Sequence, residues 1–423
     1  MIKPTTHRKG NTNMPGGPGS YLFGEEERKE VLDVLESGHL FRYGAEDDPN
    51  FKQKVLQFEA EMAKAHDLKH VVATSSGTGA LMCCLTALDI GAGDEVIVPG
   101  YTFIASISSI VLRNAIPVLA EVDESLTIDP TRIEELITPR TKAIMPVHML
   151  GNPSDMDAIM AIAKKHNLYV IEDCCQAVGA SYKGKRVGSI GHMGAYSLNV
   201  FKTITAGDGG AAGTNDAMLY ERAFGFHDQG HKPSRMGVEV GNRSIIGMNM
   251  RMNELTGAVA LAQVRKLDNA LELLRGKKAK LKQMLTGLPN FTFRKVHDEA
   301  GECATLLTLL FDTAELAEAF AAKVGSKPLT HSGWHVYSNM EQVIGATTGT
   351  TANCPYDCPR YDSKRTYSKH MLPQTDDILA RAVNISIGVV DAGLGAGIGI
   401  NIHSDDAEIE RVGEHLADVI RGL

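Results

Sequence analysis

Val170–Thr214 reads VIEDCCQAVGASYKGKRVGSIGHMGAYSLNVFKTITAGDGGAAGT, and the order of its parts decides the fold. An apolar run opening at Leu168 closes on Val170 and Ile171, and Glu172 and Asp173 follow at once, as where a buried parallel strand ends. In open α/β sheets ligands sit beyond the carboxyl ends of the strands, so an acid there faces the crevice. Asp173 is a candidate site residue on that ground. Gly194–Asn199 (GAYSLN) is a second short strand, with Lys202 in the loop behind it and the Gly207-Asp208-Gly209-Gly210 turn beyond. Such a lysine can approach a cofactor closely.

A lysine and an acid at two strand ends suit pyridoxal phosphate, whose chemistry needs a Schiff-base lysine and a carboxylate that keeps the pyridinium nitrogen protonated. Read singly, each residue has a plainer explanation. Lysines in glycine-rich loops are commonly solvated, and an Asp after a strand commonly caps a helix.

Working outward, strand and helix patterns alternate from His70–Thr74 to Val170, which predicts a parallel sheet covered on both faces. The expected strands are Glu95–Pro99, Pro117–Val122 and Ala143–Val147, with a helix over Ile128–Thr138 begun under Asp129-Pro130. Ser75-Ser76-Gly77-Thr78-Gly79 opens a helix, where free backbone N–H groups and the helix dipole both favour a phosphate. Phe103 and Tyr101 leave a strand end, either as a ring-stacking surface or as ordinary core aromatics. His148 reads as structural. Phe41-Arg42-Tyr43-Gly44 is either a packed turn or a substrate-side wall.

Length and charge bound the rest. The 423 residues, 43% of them hydrophobic, suffice for a large α/β domain and a smaller second one. Their division is expected as an arm over 1–20, a large domain over 21–288 and a small domain over 289–423. A net charge of −8 supplies no basic field for nucleic acid, and no apolar run reaches the roughly 18 residues of a membrane span. Met1–Ser20 has no apolar core of a secretory signal and reads as a mobile arm. Seven cysteines without framework spacing predict reduced thiols in a cytoplasm. Cys354 and Cys358 would be only half of a metal site, so a loop is expected there and no metal. Met248–Asp268 reads as one long apolar helix, and Gly388–Gly399 (GVVDAGLGAGIG) as a flexible or strand-edge loop that lacks the dinucleotide pattern.

Six segments in order resemble the DegT/DnrJ/EryC1/StrS sugar aminotransferases. They are SSGTGAL (Ser75–Leu81), DEVIVPGYTFIAS (Asp94–Ser106), PVHMLGNPSDMDAI (Pro146–Ile159), EDCCQAVGASYKGKRVGSIG (Glu172–Gly191), YSLNVFKTITAGDGG (Tyr196–Gly210) and GMNMRMNELTGAVALAQVRKLD (Gly247–Asp268). The resemblance implies the type I pyridoxal-phosphate transferase fold of aspartate aminotransferase, an α/β fold with a mixed, mostly parallel sheet. It implies Lys202 and Asp173 as catalytic residues, Gly77, Thr78 and Ser197 at the cofactor phosphate, Phe103 on the ring and Gln176 near its phenolic oxygen. It also implies Asn249 reaching the phosphate of a neighbouring subunit in a homodimer. An amino-acid donor such as glutamate and a keto or aldehydo sugar acceptor would then alternate in a ping-pong reaction.

Glu25-Glu-Glu, Phe41-Arg-Tyr, His148-Met-Leu-Gly, Asp228-Gln-Gly-His and Trp334-His are most similar to the branch that aminates C8 of an oxidised 3-deoxy-octulosonate. The carboxylate of such a substrate would call for Arg42, Arg251 or His335, with Tyr43 beside Arg42. A nucleotide-linked keto-hexose is the alternative acceptor. A non-catalytic pyridoxal-binding regulator is the alternative of another class, disfavoured by the low charge and the absence of an added helix-turn-helix.

Overall fold

The computed structural model describes residues 16–45, 47–233, 240–241, 243–361 and 365–423. Its centre is a seven-stranded sheet built from β1 (His70–Thr74), β2 (Glu95–Pro99), β3 (Ile116–Ala120), β4 (Thr141–Ile144) and β5 (Tyr169–Asp173), followed after a short hairpin (β6 Ser181–Tyr182, β7 Lys185–Arg186) by β8 (Met193–Ser197) and β9 (Gly210–Thr214). The spatial order is β1-β9-β8-β5-β4-β2-β3. Only β9 runs against the rest, pairing antiparallel with both β1 and β8. The other neighbours pair in parallel.

Alternation along the strands shows that both faces are covered. Ile97, Ile144, Val170 and Tyr196 enter one apolar cluster, while Val96, Val98, Ala143, Ile171 and Ala195 enter the other. Side chains of successive strand residues point to opposite faces, so a strand apolar at every position must be packed on both. The carboxyl ends of β1, β2, β4, β5 and β8 therefore share one edge of the sheet, and the turns after them meet there.

A second sheet, of β10 (Phe291–Phe293), β11 (Leu306–Phe311) and β12 (Ala382–Ser386), is antiparallel throughout. Helices Ala314–Val324 and Asp406–Arg421 pack on it through Phe320, Leu416 and Ile420. Helix Leu267–Leu285 joins the two bodies, with Leu267 and Leu271 in a large-domain cluster and Leu274, Leu281 and Leu285 in the small one. We propose that the domain division falls after it, at 288/289. No helix of the described residues is long and apolar enough to cross a membrane.

Three local expectations are corrected. Ile128–Thr138 forms two 3₁₀ turns, Pro130–Arg132 and Glu134–Leu136, instead of one helix. The Asp129 carboxylate takes the Thr131 N–H at 2.9 Å and the Gln374 amide at 2.8 Å, local bonding that competes with a continuing helix. Met248–Asp268 is not one helix either. Asn249 and Arg251 are extended, bridging Asp228 and Thr74, and the helix begins at Glu254 under an Asn253 cap. Of the expected mobile arm, residues 1–15 lie outside the described residues, whereas Gly16–Ser20 are packed. Gly17 N–H donates to Val200 O at 2.8 Å, and a Cβ on Gly17 would stand 2.3 Å from the Phe201 carbonyl oxygen.

Arg42 also has a structural place. Its side chain is 1% exposed, and its guanidinium donates twice to Glu59, at 2.9 and 3.0 Å. Glu59 takes the Ala73 N–H of β1 at 2.7 Å, so the pair bolts the 41–44 turn to the sheet. Stripping one partner from a buried ion pair strands the other charge. Arg42→Ala is therefore expected to lower unfolding stability by about 3–5 kcal/mol in denaturant titrations. Lost turnover at unchanged stability would instead return Arg42 to substrate binding.

Candidate active site

A cavity of about 530 Å³ opens at the shared strand edge. The end of β5 brings Asp173, and Gln176 follows in the turn after it. The end of β8 brings Ser197, and the turn beyond it carries Lys202. The turn after β1 brings Gly77 and Thr78, and that after β2 brings Phe103. His335 comes from the small domain's side.

The Asp173 carboxylate is held on both oxygens. Oδ2 accepts the Ser106 hydroxyl at 2.7 Å and Oδ1 accepts the Cys175 N–H at 3.0 Å. Ser106 meets the Thr102 hydroxyl at 2.6 Å, and all three side chains are buried. An ionised carboxylate offers about four lone-pair sites, so two partners leave capacity toward the cavity.

Burial of its ammonium pushes Lys202 below the ordinary lysine value, with Cys175, Asp173 and Asp391 acting the other way. A lowered value favours the free amine that a nucleophilic lysine needs. Lys202 N–H bonds Asn199 O at 3.0 Å, which closes its turn.

Helix Gly77–Ala87 starts under Ser76, whose Oγ takes the Gly79 N–H at 3.0 Å. The amides ahead of it have no intrahelical acceptor and make an anion cradle with Ser197 Oγ. Gly77 is required there, since a Cβ would lie 2.8 Å from the Ser197 Cβ. The cradle, the acid and the lysine line one wall system of one cavity, an arrangement that fits pyridoxal 5′-phosphate.

His335 lines the cavity, its ring 5.5 Å from that of Phe103, and Ser332 Oγ pairs with its Nδ1 at 2.9 Å. Burial, with Lys202 beyond it, pushes His335 down to about 3. It therefore meets a substrate as a neutral ring, which corrects the expectation of a basic partner. Tyr43, Asn249 and Arg251 lie outside their own chain's cavity. Tyr43 donates its hydroxyl to Asp228 Oδ2 at 2.6 Å, Arg251 pairs with Asp228 Oδ1, and Asn249 is exposed. Arg42 is absent from the cavity lining and is taken up by the Glu59 pair described above.

The cavity also holds residues that the sequence reading passed over, namely Ser106, Asn199, Asp208 and Asp391. Ser106 sits four residues after Thr102, a spacing that puts both hydroxyls on one side of a helical turn. That signal was available. His148, Glu172 and Cys174 offer metal-ligand atoms within 4.8 Å of one another. Both His148 nitrogens are engaged, Nδ1 by the Ser154 N–H at 2.9 Å and Nε2 by Glu172 at 3.1 Å, so the cluster reads as structural.

With this geometry in place, comparison with known proteins decides the family. A family model described as the DegT/DnrJ/EryC1/StrS aminotransferase family matches residues 22–390. The chain belongs to that family. Pyridoxal 5′-phosphate is its cofactor. GDP-perosamine synthase of Caulobacter vibrioides is 42% identical over 246 residues, covering 58% of this chain and 63% of that protein. L-glutamine:2-deoxy-scyllo-inosose aminotransferase of Micromonospora echinospora is 39% identical over 260 residues, covering 58% and 62%. The chain thus spans under two thirds of the length of these relatives. Among solved structures, an aminotransferase from Psychrobacter cryohalolentis superposes with a TM-score of 0.76 at 29% identity, over 96% of this chain and 99% of that one. It has the same type I fold.

Ser106→Ala removes one donor to Asp173 and is expected to weaken cofactor binding about tenfold, the worth of a hydrogen bond to a charged group, whereas Ser106→Thr retains affinity. Fluorescence titration of the apoprotein reads the difference, and equal affinity in Ser106→Ala would sink the assignment.

Proposed function

We propose that this chain is a pyridoxal-phosphate-dependent aminotransferase that moves an amino group from an amino acid, with glutamate the expected donor, to a keto or aldehydo sugar. The observation that carries this reading is Lys202 and Asp173 facing one cavity beside a helix N-terminus free to hold phosphate. The bound cofactor supplies an electron sink for breaking the donor's Cα–H bond. Gly77, Thr78 and Ser197 would anchor its phosphate, Phe103 would cover one ring face, and Asp173 would keep the ring nitrogen protonated. Gln176 lines the cavity with its Oε1 occupied by the Leu150 N–H at 3.2 Å, so its NH₂ is the part that would donate to the ring's phenolic oxygen. Lys202 would hold the cofactor through its ε-amine and, as a free amine, would take the proton from the donor carbon.

The finer acceptor we propose is 8-oxo-3-deoxy-octulosonate, which makes the product an amino sugar for a cell-surface polysaccharide built in the cytoplasm. Its support is the set of motifs around Phe41, His148, Asp228 and Trp334. A nucleotide-linked keto-hexose is the second reading, favoured by the name of the Caulobacter relative.

We also propose a homodimer with shared sites. Leu40, Phe41, Ile246 and Met248 are exposed apolar side chains beside Tyr43, Asn249 and Arg251. A second copy seated on them would bring those polar groups to its own cavity.

Lys202→Ala is expected to cost about 10²–10⁴-fold or more in turnover, the range that proton-transfer catalysis alone contributes, and to abolish borohydride trapping of the cofactor. Trapping at another lysine would overturn the assignment. Mixing Lys202→Ala with Asn249→Ala subunits should restore about a quarter of wild-type activity by statistical pairing of a two-fold dimer. A mixture no more active than its components would count against shared sites.

A further inference from the structure

The glycine-rich stretch 388–399 has no role in the reaction as described so far, yet it reaches the cavity through Val389, Asp391, Gly393 and Leu394. It is tightly held. The Asp391 Oδ1 takes the Gly393 N–H at 2.7 Å, and Asp391 bridges to Ala396. Just before it, Val390 and Gly16 exchange both backbone hydrogen bonds, at 2.8 and 3.1 Å.

Gly16 begins the strap that also grips the lysine turn. Gly17 N–H donates to Val200 O at 2.8 Å, Gly19 N–H to Lys202 O at 3.3 Å, and Ser20 Oγ to Val200 O at 2.8 Å. A Cβ on Gly19 would stand 2.6 Å from Thr205 N, so at that position the strap fits only as a bare backbone. Asp391 and Lys202 are thereby fixed relative to each other through one short segment.

The second oxygen of Asp391 has no hydrogen-bond partner among the described residues. A carboxylate accepts and does not donate, so the group that satisfies it must be a donor. A carboxylate or phosphate on the substrate is repelled from this point. The neutral ring of His335 does not offset that charge. Hydroxyl groups are the uncharged donors that suit it.

We propose that Asp391 is a specificity-determining residue that accepts hydrogen bonds from hydroxyl groups next to the reacting carbonyl of a polyhydroxylated acceptor. This rests on the keto-sugar reading above. Asp391 is half-buried, so an analogue lacking the hydroxyl leaves this acceptor to water alone, and a site built around such a bond favours the hydroxylated substrate.

The test uses the holoenzyme and Asp391→Asn, whose amide oxygen keeps the Gly393 bond while the charge is lost. Asp391→Ser, which also keeps the cap, serves if the first variant folds poorly. The two half-reactions are followed separately by cofactor absorbance. The donor is glutamate; the acceptors are 8-oxo-3-deoxy-octulosonate, 2-deoxy-scyllo-inosose and a GDP-linked 4-keto-6-deoxyhexose, each with its analogue lacking a hydroxyl beside the carbonyl.

The acceptor half-reaction is expected to lose about tenfold more in kcat/KM than the glutamate half-reaction, mainly in KM, and discrimination against the deoxy analogue should shrink. Parallel loss in both half-reactions overturns the proposal, since that is what a merely structural loop would produce. So does unchanged acceptor KM. If wild type uses glutamate but none of the three acceptors, the keto-sugar reading falls, and this proposal with it. Wild-type turnover of a keto-sugar with an indifferent Asp391→Asn removes the proposal alone.

Discussion

Glu172 is the constraint on which the site depends. Its carboxylate is fully buried and accepts the N–H groups of Gly188, Ile190 and Gly191 at 2.8, 2.8 and 2.5 Å. His148 adds Nε2–H at 3.1 Å, in the tautomer set by the Ser154 N–H on Nδ1. A buried charge persists only where such donors replace water. Here they come from the loop ahead of β8 and the turn after β4. Three strand ends are thereby tied to one carboxylate. Successive strand residues point to opposite faces, so fixing Glu172 fixes where Asp173 points.

The residues that line the centre of the cavity were legible because they sit in contiguous sequence at strand ends. Asp173, Lys202 and the Gly77-Thr78 turn each follow a short apolar run, and the geometry of a parallel sheet does the rest. The structural place of Arg42 was not legible, for the opposite reason. An arginine between aromatic residues looks like a binding wall, and what assigns it is Glu59, whose approach depends on how helix Lys54–Ala65 packs on β1. No local pattern encodes that. Hydropathy likewise ran the segment before Glu254 into the helix behind it. Yet Asn253, which takes the Thr256 N–H at 3.0 Å, is a recognisable start signal that composition alone hides.

The glycines tell a similar story at the amino end. Gly16-Gly17-Pro18-Gly19 has the composition of a mobile segment, and composition is all that a single sequence shows. In the fold the missing side chains permit close approach, so that three backbone donors and the Ser20 hydroxyl reach the carbonyls of Val390, Val200 and Lys202. The same residue type marks looseness when nothing faces it and tightness when a backbone does.

Charge within the cavity bears on how the site is completed. Among its described lining residues Lys202 is the one cation, set against Asp173, Asp208 and Asp391. An amino-acid donor carries a carboxylate, which needs a cationic or N–H partner while Lys202 is engaged with the reacting carbon. His335 is neutral and cannot supply the charge. Arg251 is oriented by Asp228 and Gln229, and its guanidinium lies 5.5 Å over the exposed Phe41 ring. It stands outside its own cavity on a surface that also carries Asn249 and Tyr43. In the proposed dimer, the cation that one chain's cavity lacks would come from the other.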